Sequence, residues 1–434
     1  MGASFRALKS RNYRLWVSGT VVSNTGTWVQ RTSQDWLVLT VLTHHSGLAT
    51  GITTGLQFAP LLFFSPQAGV LADRFPKRRL LFITQSLMGF SALLIGLLVV
   101  TGVVRLWEVF ACALLLGCGT ALDNPVRQSF VSEVVPRSDV ASAVSMNSAS
   151  INAARLIGPG VAGVIIAAWG TGPGFLINAA SFVAVLIALA RMRPQDMYRS
   201  DRLPRAKGQI REGVRFVRQR PDLLLIFVMT GLVGTFAMNF QITNALMASG
   251  AFHRGAREYG LLGSAMAIGC LAAALLNARR EQPRLRLLIL AEAGLGVSMV
   301  AGALMPTYFL YAASLVFMGL GSITVLNSCN TAVQLSTPAH LRGRVLSLYL
   351  AIQIGTTPIG APIVGWLGSE FGARWSVLTG GFAALLAGAC GVLVLALRPG
   401  VAAHFTDALH SQRVEEQAPA TTDVGRPALR SRTA

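Results

Sequence analysis

Charge is scarce in this chain of 434 residues: 13% are Asp, Glu, Lys or Arg, against about 25% in a typical soluble domain. So little charge cannot cover the surface of a water-soluble protein of this length, which excludes that class. Cysteine is sparse too. Cys112, Cys118, Cys270, Cys329 and Cys390 all fall in apolar runs with no C-x-x-C spacing, so neither a disulfide framework nor a zinc site is expected. Acidic residues are the scarcest: 18 Asp and Glu stand against 37 Lys and Arg, a formal charge of +19. In a soluble protein that balance points to nucleic acid. Here the basic residues sit in short links between apolar runs, the pattern of a membrane protein's cytoplasmic side, and no nucleic-acid partner is expected.

Chemical signatures are missing as well. No G-x-x-x-x-G-K-[ST] loop is present, so the chain cannot itself burn ATP, and the apolar runs contain no H-E-x-x-H or G-x-S-x-G. The expectation is a protein that is not an enzyme, with no catalytic residues, no cofactor and no metal. His44 and His45 sit in one short loop and make no metal site.

What is present is apolar sequence, 53% of the chain, with 44 glycines. About 20 apolar residues cross a hydrocarbon core of about 30 Å. Twelve such runs occur, at 15–42, 48–72, 80–102, 106–128, 140–169, 173–192, 222–248, 258–278, 285–305, 307–334, 344–367 and 375–397. The reading is an all-α polytopic membrane protein of twelve transmembrane helices in two six-helix pseudo-symmetric halves. Residues 1–14 form a cytoplasmic N-terminal tail, retained because no short apolar core with a cleavage site follows. Residues 15–192 form the first six-helix bundle, 193–221 a cytoplasmic central linker, 222–397 the second bundle, and 398–434 a polar, disordered cytoplasmic tail. In the linker, Ile210, Val214, Phe216 and Val217 predict a short basic amphipathic helix on the inner membrane face. With both termini inside, 31 of the 37 Lys and Arg are cytoplasmic and only Arg105, Arg254, Arg257 and Arg374 are outside. That fixes the orientation. The halves also match weakly in sequence. Pro136, Gly158 and Gly163 reappear 202 positions later as Pro338, Gly360 and Gly365, and such repeats enclose midplane binding sites in secondary transporters.

The link between spans 2 and 3 reads Gly69-Val-Leu-Ala-Asp73-Arg74-Phe-Pro76-Lys77-Arg78-Arg79. Its Gly permits close helix approach, its Asp can accept from a helix N-terminus, and its basic cluster suits inner-leaflet phosphates. It resembles the signature loop of the major facilitator superfamily, G-x-L-x-D-R-x-G-R-R, with Pro76 in place of the second Gly. Span 5 carries Arg155-Leu-Ile-Gly158-Pro159-Gly160-Val-Ala-Gly163. This is similar to the span 5 motif of proton-driven exporters in that superfamily, with one more residue before the last Gly. Trp28-Val-Gln-Arg31-Thr-Ser-Gln34-Asp35-Trp36, Asp123-Asn-Pro-Val-Arg127-Gln128 and Arg211-Glu-Gly-Val-Arg-Phe-Val-Arg218 look like its bacterial branch of enterobactin (siderophore) exporters. The resemblance covers about residues 5–400.

Ionisable residues inside spans cost at least about 2.5 kcal/mol each at the membrane centre, so each is a functional candidate. Arg31 and Asp35 share a face of span 1 with Gln34 beside them, four residues apart, and can pair. That pair either serves the site or simply fastens span 1 to a neighbour. Arg155, about 22 Å along span 5, has no partner on its own helix; it can meet Asp35 or an anionic substrate group. Glu292, on span 9, reads as structural. Asn327, Asn330 and Gln334 make a polar stripe on span 10, as do Thr235, Asn239 and Thr243 on span 7. The superfamily resemblance implies that spans 1, 4, 7 and 10 wall a central cavity. The expected proton-coupling and substrate residues are Arg31, Gln34, Asp35, Arg155, Asn239, Asn327 and Asn330. A cytoplasmic gate is expected from Gly69, Asp73, Arg74, Arg78, Asp123 and Arg127, and a hinge or seal from Gly158, Pro159 and Gly163.

The resemblance thus implies a monomeric secondary transporter of the bacterial inner membrane, whose partners are a small-molecule substrate, protons and membrane lipids. Proton-coupled export of a siderophore, antibiotic or other amphiphile is the leading reading. A nutrient importer or lipid flippase of the same fold, or a non-transporting receptor, stays open beside it.

Overall fold

The computed structural model describes residues 3–198, 209–278 and 285–397. Within them the chain is helical because lipid offers no partner to a free backbone N–H or C=O, and a helix satisfies its own. The first set comprises α1 (Arg11–Trp36), extended by a π-helical segment Leu37–Leu42, then α2 (Gly47–Arg74), α3 (Lys77–Val100), α4 (Leu106–Phe130), α5 (Val140–Trp169) and α6 (Gly172–Arg191). A short helix α7 (Gln209–Gln219) leads into α8 (Pro221–Leu232), a π-helical segment Val233–Ala237 and α9 (Phe240–Leu246). Then follow α10 (Ala256–Ala278), α11 (Leu285–Ala303), α12 (Tyr308–Leu335), α13 (Ala339–Gly355), α14 (Thr357–Glu370) and α15 (Ala373–Leu397). Among the described residues ten helical segments are long and apolar enough to cross a membrane, which makes this a multi-pass membrane protein.

Helix starts are fixed by side chains that replace the missing backbone acceptors. Ser10 Oγ accepts from Tyr13 N at 3.3 Å, Ser46 Oγ from Ala49 N at 3.2 Å, and Thr307 Oγ1 from Leu310 N at 3.4 Å. Pro221 opens α8 where its missing N–H is harmless. The connectors 43–46, 101–105, 170–171, 252–255 and 371–372 gather at one end of the bundle. They turn tightly through left-handed residues: His44, His45, Gly102, Gly170, His253 and Gly372 all have positive φ. Basic links occupy the opposite end.

The same neighbour pattern occurs twice. In the first set α1 packs on α5 and α6, α3 on α4 and α6, and α2 on α4. In the second, the α8–α9 unit packs on α14 and α15, α11 on α12 and α15, and α10 on α12. Two seams join the sets, α2 against α14 and α5 against α10. Glycine makes both seams possible. A Cβ on Gly51 would strike the Ala361 carbonyl, one on Gly365 the Gly47 carbonyl, and one on Gly260 the Pro159 carbonyl; one on Gly163 would lie 2.7 Å from the Ala256 oxygen. The glycines that match in sequence also match in place. Gly158 abuts Trp28 of α1, and Gly360 abuts Thr235 of the segment after α8. Gly163 meets the start of α10, and Gly365 the start of α2.

The linker helix α7 is present where its apolar spacing predicts it. Its Val217 is buried, and Glu212 pairs with Arg344, so the helix lies against α13. Residues 199–208 of the linker and the C-terminal tail 398–434 lie outside the described residues.

Replacing Gly360 by Ala should force the Thr235 carbonyl aside and cost about 1–3 kcal/mol. Gly294→Ala, with nothing within 4 Å of the added carbon, should be neutral. Thermal unfolding of the two variants in detergent checks this; equal midpoints would contradict the close approach.

Candidate functional site

A cavity of about 220 Å³ lies where the two sets of helices face each other. Trp28 and Thr32 of α1 and Arg155 and Pro159 of α5 wall it from one side. Gln241 and Asn244 of α9, Tyr259, Gly263, Met266 and Cys270 of α10, and Ser322, Ile323 and Leu326 of α12 wall it from the other. The walls are mostly apolar, with a few polar groups converging, which is the usual make-up of a small-molecule site.

Two arginines meet at Trp28, Arg155 of the cavity wall and Arg31 of α1 outside the lining. The Arg31 guanidinium carbon lies 5.5 Å from the Trp28 ring and 5.6 Å from the Phe58 ring, and that of Arg155 lies 5.4 Å from Trp28. All three are cation–π distances. Gly158 brings α5 close enough for this, since any side chain there would collide with Trp28. Arg31 and Asp35 have the spacing of a helical ion pair, but among the described residues no ion pair within 4.0 Å joins Arg31, Asp35 or Arg155 to any partner. Asp35 is 4% exposed, and its Oδ2 accepts a hydrogen bond from Tyr259 OH of α10 at 3.3 Å. The Tyr259 ring stacks on Trp36 at 5.5 Å. A second bond across the sets runs from Gly47 N to Ser369 Oγ at 2.6 Å, and a third from Ser264 Oγ to the Leu156 carbonyl at 2.9 Å. The turn that carries Asp35 is thus bound to the opposite set. Gln34 is buried beside it.

Asp123 and Arg127 have the same four-residue spacing in the opposite order, and they do pair, at 2.9 Å. Acid before base along a helix is the favourable order. Asp123 Oδ1 also accepts from Thr84 Oγ1 and Gln85 Nε2, both at 2.7 Å, while Arg127 lies over Trp16 at 5.6 Å. This network ties α4 to α3 and α1 within one set. Arg78 donates to the Leu189 and Ala190 carbonyls at 2.8 and 3.0 Å, closing the end of α6, and Lys77 pairs with Glu133 at 2.8 Å. Arg74 is exposed at the end of α2; the surroundings of Gly69 and the side chain of Asp73 lie outside what is described.

Asn239 stands at the break between the π-helical segment and α9, its Nδ2 donating to the Thr235 carbonyl at 2.7 Å and its Oδ1 buried without a partner. Asn327 and Asn330 are one turn beyond Ile323 and Leu326 on the same face of α12, where Gln334 donates to Asn330. Glu292 is fully buried in α11, and neither carboxylate oxygen has a hydrogen-bond partner. Tyr259 and Asn244, which Tyr311 OH holds at 2.8 Å, carry no periodicity or motif that marks them in sequence. Trp28 stands inside a quoted motif.

A membrane-embedded helical bundle with a cavity between two similarly packed sets is the architecture of a secondary transporter. The chain matches the model of the transmembrane secretion effector family over residues 3–425 and belongs to that family of the major facilitator superfamily. It is 27% identical to the multidrug efflux pump Tap of Mycolicibacterium fortuitum, over 84% of this chain and 90% of that one. It is 24% identical to the enterobactin exporter EntS of Shigella boydii, over 82% and 85%. The fold is shared with a crystal structure of the peptide transporter POT, with a TM-score of 0.73 at 14% identity over 91% of this chain and 96% of that one.

Tyr259→Phe should loosen the contact between the sets. Losing one hydrogen bond to a carboxylate, about 1 kcal/mol, shifts a two-state balance about fivefold. Spin labels at Ser46 and Glu370, in a background with the five cysteines replaced, should report a larger long-distance population. An unchanged distribution would deny Tyr259 that role.

Proposed function

We propose that the protein exports an amphiphilic small molecule, of the siderophore or antibiotic kind, by proton-coupled alternating access. The cavity carries this reading: its walls come from both sets of helices, so sliding one set on the other changes which end the cavity faces. Export relatives and the Gly158-Pro159 segment support the outward direction.

The finer architecture belongs to the same proposal. The polar helix Arg11–Trp36 with its extension and the short apolar helix 287–303 complete twelve spans in two six-helix bundles, 15–192 and 222–397. The charge census supports both termini lying on the cytoplasmic side of the bacterial inner membrane, and the protein acts as a monomer. The end where Gly47, Gly163, Tyr259 and Gly365 join the two sets then faces outward, and Gly158, Pro159 and Gly163 act as hinge and seal. Gly69, Asp73, Arg74, Arg78, Asp123 and Arg127 form the cytoplasmic gate, using their charges when that end closes.

Asp35 is the proposed coupling residue. Opening the outer end separates Asp35 from Tyr259 and admits water, so its surroundings, and with them its affinity for a proton, change with the state. Gln34, Asn239, Asn327 and Asn330 supply polar contacts along the cavity.

Cells expressing the protein should retain less of a panel of siderophores and dyes than cells with an empty vector; uphill accumulation of the true substrate would overturn export. In proteoliposomes with an imposed pH gradient, Asp35→Asn should exchange substrate down its own gradient yet lose proton-driven accumulation. Full proton-driven transport by that variant would place coupling elsewhere.

A further inference from the structure

The surroundings of the two arginines at Trp28 differ from those of this chain's other inward-placed arginines. Arg127 has Asp123, Arg220 has Asp222, Arg344 has Glu212, and Arg78 has two backbone carbonyls. Arg31 and Arg155 have none of these. Among the described residues neither makes an ion pair or a hydrogen bond to an oxygen, and the Nε of each is sealed from solvent without a partner. Arg155 has the Cys270 thiol beside it. The nearby carboxylate, Asp35, acts on Arg31 from beyond ion-pair distance, while the hydrogen bond it accepts comes from Tyr259 of the other set. Two like charges therefore share one indole ring in the membrane interior, close enough for Arg155 to act on Arg31. A ring quadrupole offsets such charge only in part, and a low-dielectric site strongly favours a counter-charge.

We propose that the cavity takes an amphiphilic organic anion, that Arg155 in its wall holds the carboxylate or sulfonate group, and that Arg31, which meets Arg155 at Trp28 outside the lining, adds its charge; this rests on reading the cavity as the substrate site. The planar guanidinium fork of Arg155 matches the two oxygens of such a group. The rest of the lining fits the body of the ligand. Met238, Phe240, Met266 and Leu326 offer deformable apolar surface, which accepts flat ring systems of varied outline. Occupancy removes the repulsion between the two arginines, so the cavity prefers anions over cations of the same shape.

Fluorescein and rhodamine 123 share one ring system and differ in charge, which makes them the probes. Fluorescence anisotropy with the purified full chain in a neutral detergent should give fluorescein at least about tenfold tighter binding than rhodamine 123. Arg155→Gln should weaken fluorescein about tenfold and Arg155→Lys less. Arg31→Gln combined with Arg155→Gln should erase the preference, weakening fluorescein and strengthening rhodamine 123, in a protein whose melting temperature shows that it is folded. No fluorescein binding, equal binding of the two dyes, or a preference that survives the double change would overturn the assignment. Displacement of fluorescein by an equal concentration of phosphatidylglycerol would overturn it in favour of a lipid headgroup. Anion-selective binding by a protein whose vesicles move neither dye would support this site and count against export.

Discussion

Backbone touching backbone across two seams is the constraint on which the rest of the structure depends. Lipid tails are as apolar as leucine, so helices in a membrane gain little from burying apolar side chains against each other, and close van der Waals approach has to hold them. Gly47, Gly51 and Gly365 let α2 meet α14, and Gly163 and Gly260 let α5 meet α10. These seams bring Asp35 within reach of Tyr259, while Gly158 inside the first set brings Trp28 within reach of Arg155. Large side chains at the seams would widen the cavity and separate Asp35 from Tyr259.

Much of this was legible in the sequence, for definite reasons. Helices in a membrane announce themselves through unbroken apolar runs, and the central link through its charge. The glycine spacing shared by Gly158–Gly163 and Gly360–Gly365 translated directly into matching contacts, because a glycine's role is set by what its missing Cβ would strike. Among the described residues ten segments satisfy length and apolarity; α1 is too polar to be counted with them, and Leu287–Ala303 stands apart as a shorter apolar helix.

Pairing was less legible. Four-residue spacing says that two side chains are neighbours, and it cannot say where their polar atoms turn. Asp123 and Arg127, acid first, form their ion pair. Arg31 and Asp35, base first, do not; the arginine turns to Trp28 and Phe58 and the carboxylate to Tyr259. The competing partner sits 224 positions away in sequence, beyond any local rule. The break at Asn239 is hidden for a related reason. A helix can open there only because neighbouring helices bury the freed groups, and those neighbours are chosen by the tertiary fold.

Cavity and seam are joined mechanically because the same helices build both. On α1, Trp28 and Thr32 face the cavity, and Asp35 and Trp36 meet α10; at 1.5 Å per residue, Trp28 and Asp35 are about 10 Å apart along the axis. On α5, Arg155 and Pro159 face the cavity, and Gly163 meets the start of α10. A packed helix moves as a rigid piece, so separation at the seam has to displace the cavity wall, and a change in the wall has to be felt at the seam. The pieces that bind and the pieces that seal cannot move independently, and coupling between ligand and conformation needs no longer path than these few helical turns.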